Sequence, residues 1–210
     1  MKKISLKNIS FVLIFHLFIC LVVSQVGLLL NFPISGIYYP LSVIISLLIC
    51  RINFTSGLFL FTLLTGLFLI SGYFFDFSAD GQSYHQESII QLKQGWNPIF
   101  SESKSRTMKV WTEHYPKGAE VIQACMYFFF GKLELAKATN IFLFVASLFL
   151  VKKAIEYFNI NPLQQWIYAF LVAANPVVIS QILTFYVDGL GYSFLICFLA
   201  SLFLFIKTKD

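Results

Sequence analysis

The stretch 66-GLFLISGYFFDFSADGQSYHQESIIQLKQGWNP-98 turns abruptly from unbroken apolar sequence to a segment holding two aspartates, a histidine, a glutamate and a Trp-Asn-Pro turn. Upstream, the apolar run Phe54–Phe75 is long enough to cross a bilayer, which takes about 20 apolar residues. Its polar continuation therefore reads as the mouth of a membrane helix. Working outward, Phe11–Leu30, Thr139–Val151 (which extends upstream), Trp166–Phe185 and Leu190–Ile206 are runs of the same kind, and Ile37–Cys50 is a shorter one. Hydrophobic residues make up 58% of the 210 and charged residues 12%, with a mean hydropathy of +0.78. Soluble domains carry about a quarter charged residues. The pattern predicts an all-α, polytopic transmembrane helical bundle of about six spans. Residues 1–210 form a single integral membrane domain, and an external loop of juxtamembrane helices runs from Asp76 to Gly118.

Charge sets the expected topology. Lys2, Lys3 and Lys7 place the N-terminus in the cytoplasm, Arg51 marks a tight turn on the same side, and the 76–118 loop then faces outward. Val121–Phe130 is about half a bilayer long. As a re-entrant or juxtamembrane helix it leaves eight Lys/Arg inside (2, 3, 7, 51, 152, 153, 207, 209), whereas as a crossing it leaves six, so the re-entrant arrangement is preferred. It also brings Asp188, in 184-TFYVDGLGY-192, out on the face that carries Asp76 and Asp80. The chain is then a multi-pass protein of a bacterial cytoplasmic membrane. It either stops soon after the sixth span or is the front portion of a longer protein.

The net charge of +5 comes from residues dispersed at helix ends, without the basic stripe of a nucleic-acid footprint. Cys20, Cys50, Cys125 and Cys197 lie apart in apolar stretches and read as small buried hydrophobes rather than disulfide or zinc ligands. The first apolar run is too long for a signal peptide and lacks a small-residue cleavage site, so it is read as a retained span. The acceptor-like tripeptides at Asn8 and Asn53 fall on the cytoplasmic side and are read as chance matches. His16 is the main ionisable residue within a span, which argues against ion-coupled transport.

The chemistry gathers in the loop. Asp76 and Asp80 are four apart, so a helix would put both carboxylates on one face. Asp80 also suits an N-cap for a helix over 81–94 that stops at Gly95, and Ser83 with Gln86 offers a capping box. A carboxylate at the lipid boundary is partly desolvated and a stronger base, and a helix N-terminus beside it suits a phosphate. His85 is a candidate substrate contact with Glu87 beside it. His85, Asp80 and Glu87 could also group round a divalent metal, although their spacing matches no strong ligand motif. Trp96 and Trp111 read first as interface aromatics, with stacking on a sugar as the functional alternative. Lys104, Arg106, Lys109 and Lys117 lie on the side where few cations are expected, and Lys117 stands closest to the following apolar helix.

An external loop bearing DGQSYHQESIIQLKQGWNP, followed by HYPKG opening an apolar helix, resembles the first external loop of GT-C fold glycosyltransferases. That class includes the protein O-mannosyltransferases and oligosaccharyltransferase catalytic subunits. The resemblance covers roughly residues 73–190. It implies transfer of a sugar from a polyprenyl-phosphate carrier, with Asp80 and then Asp76 as loop acids and Asp188 as a second acidic residue near the donor. It also carries Tyr115-Pro116 as the start of the returning helix, while His85, Glu87, Lys117, Arg106 and Trp96 are the substrate-site candidates from the loop residues themselves. This chain departs from the pattern in its three spans ahead of the loop, its Asp-x-x-x-Asp spacing and its length. The implied partners are a lipid-linked sugar donor and membrane lipids, with no nucleic acid. The competing class is a non-catalytic membrane subunit of a polysaccharide export or transport assembly, using the loop for docking.

Overall fold

A computed structural model describes residues 4–208, and these are helical with no strand among them. The topology argument from Lys2, Lys3 and Lys209 rests on residues outside that range. In chain order the helices are α1 (Leu6–Leu29), α2 (Tyr38–Ile49), α3 (Phe54–Tyr73), α4 (Gln86–Lys93), α5 (Lys109–His114), α6 (Gly118–Phe130), α7 (Ala138–Ile155), α8 (Pro162–Ala173), α9 (Pro176–Gln181) and α10 (Asp188–Thr208). Among the described residues, four helical stretches are long and apolar enough to cross a membrane: α1, α3, α7 with its 3-10 lead-in from Leu133, and α10.

Two expected spans come out differently. The 37–50 run forms the 12-residue α2, short of a bilayer crossing. The 166–185 run is not one helix. Asn175-Pro176 divides it into α8 and α9, because proline has no amide to continue the ladder and the Asn175 side chain caps Val177 and Val178 instead. At the front of α8, Asn161 and Gln164 form a reciprocal capping box and Pro162 sits at the first helical position. The remaining termini are fixed in the same local way. Ser5 caps α1 and Asn53 caps α3. Asn31 and Arg51 adopt positive φ (60° and 47°) to turn the chain tightly after α1 and α2.

Hydrogen bonds define the two ends of the bundle. At one end the Ser5 amide donates to Ser56 Oγ (3.2 Å) and Asn8 Nδ2 donates to the Cys50 carbonyl (3.3 Å). At the other, Ser71 Oγ donates to the Glu134 carbonyl (2.8 Å) and Lys132 Nζ to the Gly72 carbonyl (2.6 Å). Lys137 Nζ, fully buried, bonds both the Phe74 carbonyl and the Glu134 carboxylate. Two ammonium groups thus meet the carbonyls at the C-terminus of α3, where the helix dipole favours positive charge. Because α7 leaves from this second end, Lys7, Arg51, Lys152, Lys153 and Lys207 all fall at the first. Lys93, Lys104, Arg106, Lys109, Lys117, Lys132 and Lys137 lie at the second end, so the described cations do not by themselves orient the bundle.

The core is built around α7, which packs on α1, α8 and α10 and is buried on most sides. Small residues such as Ala146, Ser147 and Ala154 face into it, which lets helices approach closely where no hydrophobic drive exists between them. His16 is packed: its Nδ1 bonds the Val12 carbonyl, and its ring meets Tyr39 and Phe142 edge-on at 5.8 and 5.7 Å. Large residues including Phe18, Phe54, Phe61 and Phe198 point outward, as a lipid-facing surface requires. α6 does not traverse the bundle. Cys125 at its middle meets Ser24 of α1, Phe130 at its end meets Phe68 of α3, and both flanking segments lie at the second end. This is the half-length arrangement preferred from the lysine distribution.

Candidate functional site

The polar loop begins where α3 runs out of apolar sequence, and its anchor is Asp76. The carboxylate is 2% exposed, and both oxygens accept backbone amides: Oδ1 from Ser78 and Oδ2 from Phe185, each at 2.8 Å. The second bond ties the loop to the turn that leads into Asp188, so residues 109 positions apart are held together. Gly81 is part of the same contact. A methyl there would collide with Asp76 Oδ2 and Ser78 Oγ.

Residues 81–85 wind as a π-helical turn before α4, so the expected 81–94 helix is irregular over its first turn. Asp80 has helical backbone angles and makes no capping bond. Ser83 Oγ donates to the Asp80 carbonyl instead of forming a capping box with Gln86. Both capping expectations fail for one reason: the chain is already helically wound at Asp80, so it presents no extended cap position. A π-turn of this type re-aims side chains and recurs at functional sites. Here it leaves Asp80 half-buried, with Tyr84 Oη at 3.5 Å from its Oδ2 as a long contact.

His85 turns inward. Its Nδ1 lies 2.8 Å from Glu120 Oε1, and the two side chains are 1% and 0% exposed. This pairing replaces the expected grouping of His85 with Asp80 and Glu87. Among the described residues no cluster of three or more His, Cys, Asp or Glu could hold a metal ion. The His85 ring is walled by Tyr84, Tyr115 and Tyr186, and Tyr84 stacks on Trp111 (5.8 Å). Lys117 stands immediately before α6 without a capping bond and is 9% exposed, and its Nζ has no hydrogen-bond partner. Burial pushes its ammonium below the usual lysine range, partly offset by the nearby Glu120 charge. The second Glu120 oxygen is also buried without a partner. A buried cation without a hydrogen bond is costly, and here the Glu120 charge offsets only part of that cost.

The remaining candidates have other work. Glu87 accepts from Gln91 and from Ser105 Oγ (2.9 Å), while Gln91 Oε1 takes Ser103 Oγ and the Lys104 amide, so α4 clamps the 101–108 loop. Gly95, at φ +93°, ends α4 as expected. Trp96 is 6% exposed and its indole N–H donates to the Ser101 carbonyl (3.0 Å). It borders a recess of about 420 Å³ together with Glu102, Glu113 and His114. Next to it, Asn97 ties the turn to the end of α1 through the Leu28 carbonyl (2.8 Å). Arg106 is exposed. Asp188 starts α10, with its Oδ2 accepting from Gln181 Nε2 (3.0 Å).

Two residues that matter here were passed over in the sequence. Glu120 sits in GAEVIQACMYFFF, and a carboxylate in such an apolar helix is the signal that marked it. Asn140 lies inside α7, where its Nδ2 is within 3.1 Å of the carbonyls of Gln181, Thr184 and Tyr186 and holds the broken segment in place.

No known protein family, curated protein or solved structure matches this chain. The class defined by fold and site is therefore an all-helical membrane protein with an acidic, aromatic, partly buried polar cluster at one end.

Proposed function

We propose that the chain is a GT-C type glycosyltransferase, or the N-terminal portion of one. It would move a sugar from a polyprenyl-phosphate donor to an acceptor hydroxyl at the outer face of a bacterial cytoplasmic membrane. The observation that carries this reading is the pin between Asp76 and the Phe185 amide. It seats the half-exposed Asp80 carboxylate at the same end as Asp188 and the unpaired Lys117 ammonium. Free base, buried cation and lipid boundary are the three parts that such a transfer needs.

In the proposed reaction the acceptor oxygen attacks the anomeric carbon from the face opposite the phosphate. Its proton passes to the Asp80 carboxylate as the new carbon–oxygen bond forms. The bond from the anomeric carbon to the phosphate oxygen breaks, and its electron pair leaves with polyprenyl phosphate, so configuration inverts. The transition state carries positive charge on the sugar, as in glycoside hydrolysis. Lys117 offsets the charge gathering on the leaving phosphate. Asp76 is a positioning residue, because both of its oxygens are already engaged by amides.

Losing a general base typically costs about 10²–10⁴-fold in rate. Membranes carrying Asp80→Asn should therefore show transfer reduced by that order with normal expression and insertion. Transfer at the wild-type rate would remove the basis for the assignment and leave the non-catalytic subunit as the better reading.

A further inference from the structure

A groove between the second half of α3 and the α6–α7 connection takes no part in the reaction above. It measures about 450 Å³, within the size range of ligand pockets. Thr65, Leu69 and Tyr73 line it from α3, and Phe130 and Leu135 from across the gap. From Gly72 back to Thr65 the groove follows two turns of α3, roughly 10 Å, or about a third of a hydrocarbon core. It therefore stays within the leaflet at the second end of the bundle. Leu69 and Tyr73 are both exposed, and Tyr73 stands at the mouth, where an aromatic ring marks the headgroup level.

One cation is fixed at that mouth. Gly131, at φ +73°, ends α6 and delivers Lys132, whose Nζ donates to the Gly72 carbonyl at 2.6 Å. Gly72 permits the approach, because a Cβ there would meet Leu135 Cδ2 at 2.6 Å and stand 3.8 Å from the lysine Nζ. The ammonium is thus held in place rather than left to roam on a flexible stem. Lys132 is exposed and makes no ion pair among the described residues, whereas the nearby Lys137 is paired with Glu134. The C-terminus of α3 supplies only about half a negative charge, so positive charge remains, with N–H donors to spare. A tethered cation above a lipid-facing apolar groove is complementary to an anionic head on a hydrocarbon chain.

We infer that this groove seats one acyl chain of an anionic bilayer phospholipid, with its phosphate at Lys132. None of the lining residues belongs to the loop cluster, and the occupant is a lipid of the surrounding membrane rather than a reactant, so the site does not depend on the proposed sugar transfer. A zwitterionic lipid would bring its own ammonium to the same position. Headgroup charge is therefore what the site selects, and one cation beside an anionic lipid is expected to favour it about fivefold.

The test is photolabelling of the purified full chain in phosphatidylcholine nanodiscs, doped with phosphatidylglycerol or phosphatidylcholine that carries a diazirine early in one acyl chain. Mapping of the labelled peptides follows. Phosphatidylglycerol should label the segments 65–73 and 130–135 about fivefold more than phosphatidylcholine does. Lys132→Met should bring the two lipids level, and Lys132→Arg, which keeps the charge, should preserve the preference. Thr65→Trp, which fills the groove from its lipid-facing side and leaves the lysine in place, should remove most of the label from both segments. Equal labelling by the two lipids in the wild type, a preference unchanged in Lys132→Met, or label indifferent to Thr65→Trp would each overturn the inference. So would unlabelled farnesyl phosphate displacing the phosphatidylglycerol label better than unlabelled phosphatidylglycerol does, which would give the groove to a single-chain phosphate instead.

Discussion

Replacing Asp76 by Asn keeps the size of the side chain and removes half of its accepting capacity. One oxygen remains for either Ser78 or Phe185, while the new amide group turns its own donors toward the other N–H. A hydrogen bond to a charged group contributes about 1.5–3 kcal/mol, and a buried donor left unmatched costs about 1–3 kcal/mol. With the carboxylate only 2% exposed, water offers little substitute, so a loss of about 2 kcal/mol in the loop-to-turn attachment is expected. Each 1.4 kcal/mol is a factor of ten, so the detached state should rise roughly thirtyfold. Hydrogen exchange resolved to the Phe185 amide reads that bond directly, and its rate should rise by the same factor in Asp76→Asn. Asp80→Asn provides the contrast: exchange at residue 185 should stay at the wild-type rate while transfer is lost. Unchanged exchange at Phe185 in Asp76→Asn would refute the claim that this carboxylate holds the two segments together.

Other perturbations follow from the same geometry. Gly81→Ala drives a methyl into Asp76 and Ser78 and should cost about 1–3 kcal/mol, with faster exchange at Phe185, measured beside the Asp76 variant. Asn140→Leu leaves the carbonyls of Gln181, Thr184 and Tyr186 without their shared donor and should destabilise by about 1–3 kcal/mol in denaturant titrations, with exchange rising first across 181–186. Lys137→Met strips the cap from Phe74 and leaves Glu134 unpaired. The loss should approach the ~3–5 kcal/mol of a broken buried pair, and Glu134→Gln in the same chain should recover part of it. For Lys117 the folded-state value lies below the ordinary 10.5, so the unfolded chain binds the extra proton in that window. Stability of the wild type relative to Lys117→Met should therefore rise as pH climbs toward 10.5, and a flat difference would deny the burial.

How much of this was readable in advance depends on whether the signal is local. α1 and α3 are set by apolar length alone, and the stop at Gly95 by the freedom of glycine to take positive φ, so these came straight from the residues. The division between α8 and α9 was also written locally, in Asn175-Pro176. The apolar residues on either side masked it, because hydropathy does not register a missing amide donor. The π-turn and the lack of a cap at Asp80 could not be read, since they depend on Asp76 meeting both Gly81 and a backbone amide from the far side of the chain. For the site, placing Asp76, Asp80 and Asp188 at one end followed from counting lysines. The partner of His85 did not, because Glu120 lies 35 residues away on a different helix. From the sequence Glu87 reads as a candidate metal or substrate group and Trp96 as an interface aromatic or a sugar-stacking one. The structure uses them as internal donors and acceptors that keep the loop folded.

The account stands on the loop aspartates and the Phe185–Asp188 turn sharing one outward-facing end of the bundle. Single cysteines placed at Asp80 and at Asp188, in a chain whose four native cysteines are replaced by serine or alanine, measure this most directly. A membrane-impermeant maleimide applied to intact cells should modify both positions. A position protected until the membrane is opened, with the other reactive from outside, would put the two on opposite faces and contradict it.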